Sequence, residues 1–210
     1  MSVPAPQRSR LPRGIHIAAV LSLLLAGLIG MATVMEMSGL ARLSEYKEAV
    51  LSAPGAQAEN ALNVQLFLAR FNAEGSMRET RSVLLGALAV VCAFAFVAAA
   101  RILRPGGLPR EGMRRLLSWA SLLAAVLRTI DGAQFQVVID HMGAALVKGP
   151  FPSQLAAEHI EVFKEYGPTV LTLLYQGMTV VVAGSFVLLG QYFRSERVRQ
   201  VVLAQDGANE

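Results

Sequence analysis

Three stretches of this chain run for about the length of a bilayer crossing without a formal charge: Gly14 to Met35, Val83 to Ala100 and Thr169 to Phe193. The hydrocarbon core of a membrane is ~30 Å thick and takes about 20 apolar residues of helix to cross. With no water there to receive backbone N–H and C=O groups, such a segment has to satisfy them internally, which a helix does. The stretches therefore predict transmembrane helices, and they narrow the fold to an all-α membrane protein.

A fourth stretch, Leu116 to Val138, is apolar except for Arg128 and Asp131, with Gln134 and Gln136 close behind. Each charge costs about 2.5–3.5 kcal/mol at the centre of an inserting helix, so this span has to be justified by something beyond its hydropathy. Loop charge supplies the reason. With four spans, Arg8, Arg10 and Arg13, then Arg101, Arg104, Arg110, Arg114 and Arg115, then Arg194, Arg197 and Arg199 all fall on one side, which the positive-inside rule makes cytosolic. With three spans the last group would lie outside and a long apolar segment would be left in water. Arg78 and Arg81, beside the second span on the opposite side, run against the rule.

The organisation that follows is a basic cytosolic tail (1–13), spans at about 14–36, 82–103, 116–138 and 169–193, and a second cytosolic tail (194–210). The fold class is an up-down four-transmembrane-helix bundle with short amphipathic helices in its outer loops. The first apolar run is longer than the ~7–15 residues of a signal-peptide core and has no clear small-residue cleavage site, so it reads as a retained span. Beyond it, Leu40, Leu43, Tyr46, Val50 and Leu51 recur at helical spacing away from Arg42, Glu45 and Glu48, which extends the first span outward as a helix as far as Pro54-Gly55. Leu62 to Leu68 begins with period-two alternation, but its context favours a helix. In the second outer loop, Pro152-Ser153 can start a helix with Leu155, His159, Val162, Phe163 and Tyr166 on one face and Glu158, Glu161 and Glu165 on another, and Gly167-Pro168 should break it before the last span.

Composition agrees: the chain is 54% hydrophobic and 16% charged, too apolar for an ordinary soluble domain. Its net charge of +4 would raise the question of nucleic acid in a soluble protein, but here the basic residues flank the spans and orientation accounts for them. No nucleic-acid partner is expected; the partner is the lipid bilayer, with a second copy or another membrane protein. The charge pattern suits the plasma membrane of a bacterium, the cell inner membrane, with both termini cytosolic. Cys92 is the sole cysteine and lies within an apolar stretch, which excludes an intrachain disulfide and cysteine-based zinc spacing.

Arg128 and Asp131 are the most informative residues for chemistry. At i and i+3 they share a helix face and can neutralise one another, and a rise of ~1.5 Å per residue puts them about 15 Å deep. Ser121, Ala124, Arg128, Asp131 and Gln134 form a small and polar stripe that should face the bundle, with Val126, Ile130 and Val137 left for the lipid tails. Tyr175 and Gln176 of the fourth span lie at comparable depth, and Gln176 is the expected hydrogen-bonding partner of the pair. The intramembrane polar site is thus Arg128, Asp131, Gln134, Gln176 and Tyr175. Such a site serves a proton, ion or polar ligand, or it clamps helices together; with one constellation and no inverted repeat or broken helix, the clamp is favoured.

Glu36 at the outer end of the first span needs no special role, beyond a weaker suggestion of an outer vestibule with Asp140 and His141. A metal site from Asp140, His141, Glu158 and His159 is disfavoured because neighbouring Glu158 and His159 point different ways on a helix. The small residues Ser22, Ala26 and Gly30 in the first span, like Ala89 with Ala93 and Ala95 with Ala99 in the second, allow close helix packing. No nucleophile, base and oxyanion arrangement and no phosphate-binding loop appears, and no cofactor is expected. The leading functional expectation is a non-enzymatic assembly or interaction subunit. The alternative is a small transporter, channel or ligand-binding membrane protein that uses Arg128 and Asp131.

Overall fold

A computed structural model describes residues 12–52, 61–104, 109–149, 151 and 157–207. All regular structure among them is helical: α1 (Arg13–Ala41), α2 (Leu43–Ser52), α3 (Ala61–Ser76), α4 (Arg78–Leu103), α5 (Arg110–Lys148), α6 (Ala157–Arg194) and α7 (Glu196–Gly207). Helices α1, α4, α5 and α6 are each long and apolar enough to cross a membrane, and each carries one of the four apolar stretches. The ambiguous Leu62 to Leu68 segment is helical, within α3. The proposed turns at Pro54-Gly55 and Pro152-Ser153 and the site of Leu155 lie outside the described residues.

One expectation is refined and one corrected. The first span does continue outward as helix as far as Ser52, but with a break at Arg42 between α1 and α2: the N–H of Arg42 is shared between the carbonyls of Ser38 and Gly39 at 3.3 and 3.2 Å, the bifurcated pattern of a helix end. Arg78 completes that end by donating to the Ala41 carbonyl at 3.0 Å. Gly167-Pro168 does not break the last helix, since Pro168 lies inside the continuous α6. A proline removes one ladder hydrogen bond and crowds the preceding turn, at ~3 kcal/mol in a free helix. Packing offsets this here: Pro168 nests on Gly143 of α5, where a Cβ would stand only 3.1 Å from it, and Gly167 faces Leu146 as closely.

The chain forms two compact units. One comprises, among the described residues, 12–30, 90–104, 109–124 and 185–207. Small residues set its helix spacing: a Cβ on Gly27 would lie 3.3 Å from the Phe96 ring, and one on Gly30 would lie 3.1 Å from Cys92. Ser22 and Ala26 are buried on the same side of α1, with the Ser22 hydroxyl donating to the Ala18 carbonyl at 2.8 Å. Ser118 donates to the carbonyl of Gly190 at 2.9 Å. Asp206 of α7 accepts from the backbone N–H groups of Arg110 and Glu111 at 3.2 and 3.0 Å, capping the positive end of α5 from another element. Arg114 donates to the Phe193 carbonyl near the end of α6, the corresponding cationic partner for a helix C-terminus.

The other unit comprises, among the described residues, 31–52, 61–89, 125–149, 151 and 157–184, and holds the candidate site. Its apolar centre is Ala73, Phe135, Val138 and Ile139, with Met77, Met142, Leu171 and Tyr175 packed on it. α2 lies on α3, with the Lys47 ammonium 4.9 Å from the centre of the Phe71 ring. α5 and α6 are in close contact at Gly132, where any Cβ would collide with Thr179. Gly132→Ala should therefore destabilise the protein by about 1–3 kcal/mol through overpacking. Thr179→Ala in the same chain should recover most of the loss, as read by unfolding in detergent; an equal loss in single and double variants would contradict this account of the contact.

Candidate functional site

The polar centre of the second unit is built around a residue the sequence marks only as an exception to the loop-charge pattern. Arg81, one turn into α4, has 0% of its side chain exposed. Its guanidinium donates to Glu36 of α1 and to Glu74 of α3 at 3.4 Å, and its Nε faces Oδ1 of Asp131 on α5 at 3.5 Å. Asp131 is equally inaccessible and pairs on its other oxygen with Arg128, whose side chain is 17% exposed. Glu74 is also held by Arg70, one turn before it on α3, at 2.8 Å. Arginines 70, 81 and 128 thus face Glu36, Glu74 and Asp131 in equal number.

Charge balance explains how such a set can exist among apolar helices. A lone ion withdrawn from water is penalised by several kcal/mol, and only paired, hydrogen-bonded partners offset that. Arginine suits the hub because its planar fork donates in several directions and holds its charge at any ordinary pH. A ring adds to the pairing: the Arg81 guanidinium carbon lies 4.5 Å from the centre of Phe135, within the range of a cation–π contact. Tyr175 stacks against that same ring at 4.5 Å between centroids, tilted by 33°. The charge set is not fully saturated, as Arg81 Nε, Arg128 Nε, Asp131 Oδ1 and Gln134 Oε1 are buried without a hydrogen-bond partner among the described residues.

The predicted site residues fall into separate groups. Arg128 and Asp131 sit in the centre, Gln134 lies half-buried beside them on α5, and Tyr175 joins through Phe135. Gln176 does not take the partner's role expected of it: its side chain is exposed, and its amide donates to Gln136 at 3.4 Å. Gln136 in turn donates to Asp140 at 2.8 Å, and His141 meets the carbonyl of Val137 on its own helix at 2.7 Å. Those contacts take Asp140 and His141 away from any vestibule with Glu36, and Glu36, expected to need no role, is a partner of the hub. Among the described residues no three metal-ligating side chains cluster. Val126, Ile130 and Val137 are exposed on the far side of α5.

Glu36, Arg70, Glu74, Arg81 and Phe135 belong to the centre although matching depth in neighbouring spans does not point to them. The signal available was the arginine out of place by the loop-charge rule. No protein family model matches this chain, and no curated protein or solved structure matches it.

Removing the hub should be among the most damaging single changes in the protein. Arg81→Leu leaves three carboxylates facing two arginines and should cost about 3–5 kcal/mol, the usual loss when one partner of a buried ion pair is deleted. Arg81→Lys should recover only part of it, because a point-charge ammonium cannot reach three carboxylates as a fork does. Unfolding of the two variants in a mild detergent measures both, and near-wild-type stability of Arg81→Leu would refute the hub.

Proposed function

We propose that this protein is a non-enzymatic membrane assembly or interaction protein, and that its buried polar centre fastens the helices instead of passing a solute. The supporting observation is the complete burial of Arg81 and Asp131 together in a charge-balanced set. A group that binds and releases an ion or proton has to be reachable from water at some point in its cycle.

In this reading the four spans, at about 14–36, 82–103, 116–138 and 169–193, alternate in direction as an up-down bundle. Both ends lie in the cytosol of a bacterium whose plasma membrane holds the protein. The distribution of arginines supports that orientation. The burial of Arg81 removes its conflict with the rule, since a charge neutralised inside the protein no longer counts as a loop charge. The outer segments, α2 and α3 among them, are then the surface offered to a second copy or to another membrane protein.

A mutational contrast tests the fastening role. Arg128→Leu alone leaves an excess of negative charge and should destabilise more than Arg128→Leu combined with Asp131→Leu, which restores balance among Arg70, Arg81, Glu36 and Glu74. Accessibility gives an independent reading. With Cys92→Ala as background, Arg128→Leu with Asp131→Cys should stay protected from a water-soluble thiol reagent applied from either side; rapid labelling of the folded protein would instead indicate an aqueous path and a transport or channel role.

A further inference from the structure

Next to the fastened centre, α1, α2 and α3 enclose a cavity of about 310 Å³ that opens to the surface. Its walls are mainly apolar and aromatic, with Tyr46, Phe67 and Phe71 among them, and its charged groups are Glu36, Arg70 and Glu74. The volume is within the lower range of small-molecule sites, which combine an apolar lining with a few placed polar groups. It holds about ten water-sized groups, enough for a polar head and a short apolar tail.

We infer that this cavity binds the ammonium head of an amphiphilic amine. The argument rests on which charges remain available. Arg70 directs its Nε to Glu74 at 2.8 Å, so that its charge is balanced within the wall although 47% of its side chain is exposed, and the Glu74 side chain, 5% exposed, accepts from Arg81 as well. Of the two carboxylates Glu36 is the open one: one of its oxygens takes Arg81, yet 29% of its side chain stays exposed on the cavity wall. A carboxylate held rigidly from behind and open in front is a preorganised acceptor for a cation, and it needs no reordering when one arrives.

The aromatic wall favours the same class. Tyrosine and phenylalanine faces attract ammonium groups, and the chain's own Lys47 ammonium already lies over the face of Phe71. The apolar remainder of the cavity suits an alkyl or aryl tail and gives nothing to a sugar or a nucleotide. The head could belong to a lipid such as phosphatidylethanolamine or to a soluble amine with a short apolar tail. Glu36 lies in the outer part of the first span, where both would be in reach.

The test uses the full-length protein in dodecyl maltoside and compares n-octylamine, n-octanol and n-octanoate, which share a tail and differ in the charge of the head. Octylamine should bind at least about tenfold more tightly than the other two, a difference near 1.4 kcal/mol, and should raise the unfolding temperature. Glu36→Gln should remove the preference for the amine over the alcohol. Gly39 lines the cavity and has nothing within 4 Å of an added Cβ, so Gly39→Phe should fill the site without disturbing the Arg81 centre, and should abolish binding even if Glu36→Gln folds poorly.

Equal binding of the three ligands, preference for octanoate, or undiminished binding by folded Gly39→Phe would each overturn the assignment. Native mass spectrometry of protein taken from its membrane separates the two sources. A co-purifying phosphatidylethanolamine displaced by octylamine identifies a lipid head, and octylamine binding with no lipid displaced identifies a soluble amine; either outcome supports the site.

Discussion

The structure depends on keeping one guanidinium, that of Arg81, away from water. Among apolar helices such a group is tolerated only with opposite charge supplied at contact distance, and its five N–H donors are more than one carboxylate can take. Glu36 comes from α1, Glu74 from α3 and Asp131 from α5, so the charge is satisfied only when these elements and α4 meet in one arrangement. Apolar packing alone would not impose this: a leucine face slides over another leucine face at little cost, whereas displacing a helix by a turn would strand an ion. The centre therefore acts through specificity more than through net stability. Its four buried atoms without a hydrogen bond among the described residues agree with that, since a set built for stability alone would leave none.

Reaching this arrangement requires helices that come close, and the chain provides for it with small residues. Gly132 follows Asp131 directly and lets Thr179 of α6 approach to contact, while Gly143 and Gly167 do the same for Pro168 and Leu146. A transmembrane interface has no hydrophobic effect to draw it together, because lipid tails are as apolar as leucine, so contact area and polar pairing have to serve. In this unit the glycines give contact area between α5 and α6, and the ion pairs give pairing among α1, α3, α4 and α5. The proline in α6 survives for the same reason, as the neighbouring helix supplies a surface shaped to hold it.

The sequence makes the helical class and the four apolar helices readable because both follow from a local property, the length of an uncharged run set against the thickness of a bilayer. It makes the Arg128 and Asp131 pair readable for a similar reason, i and i+3 geometry being fixed within one helix. Partners across helices are another matter. Gln176 looked suitable by depth, but depth leaves rotation about the helix axis undetermined, and its side chain points outward. Arg81 lies at the edge of its span, where an arginine normally reaches for water; that it turns inward depends on Glu36 and Glu74, which are 45 and 7 residues away in the chain. The continuity of α6 through Pro168 also escaped local rules, because what sustains it is Gly143 on another helix.

The hub and the neighbouring cavity draw on the same two carboxylates, and this ties them together energetically. Glu36 and Glu74 hold Arg81 on one side and line the cavity on the other. A cation entering the cavity would share Glu36 with Arg81, and whatever it gains from that carboxylate depends on how firmly the guanidinium keeps it in place. Linkage makes the relation reciprocal: if the arrangement of α1 and α3 about Arg81 favours occupancy, occupancy favours that arrangement by the same free energy. A helical membrane protein can in this way respond to its surroundings, because α1, α2 and α3 are positioned by groups that also line a cavity open to the surface.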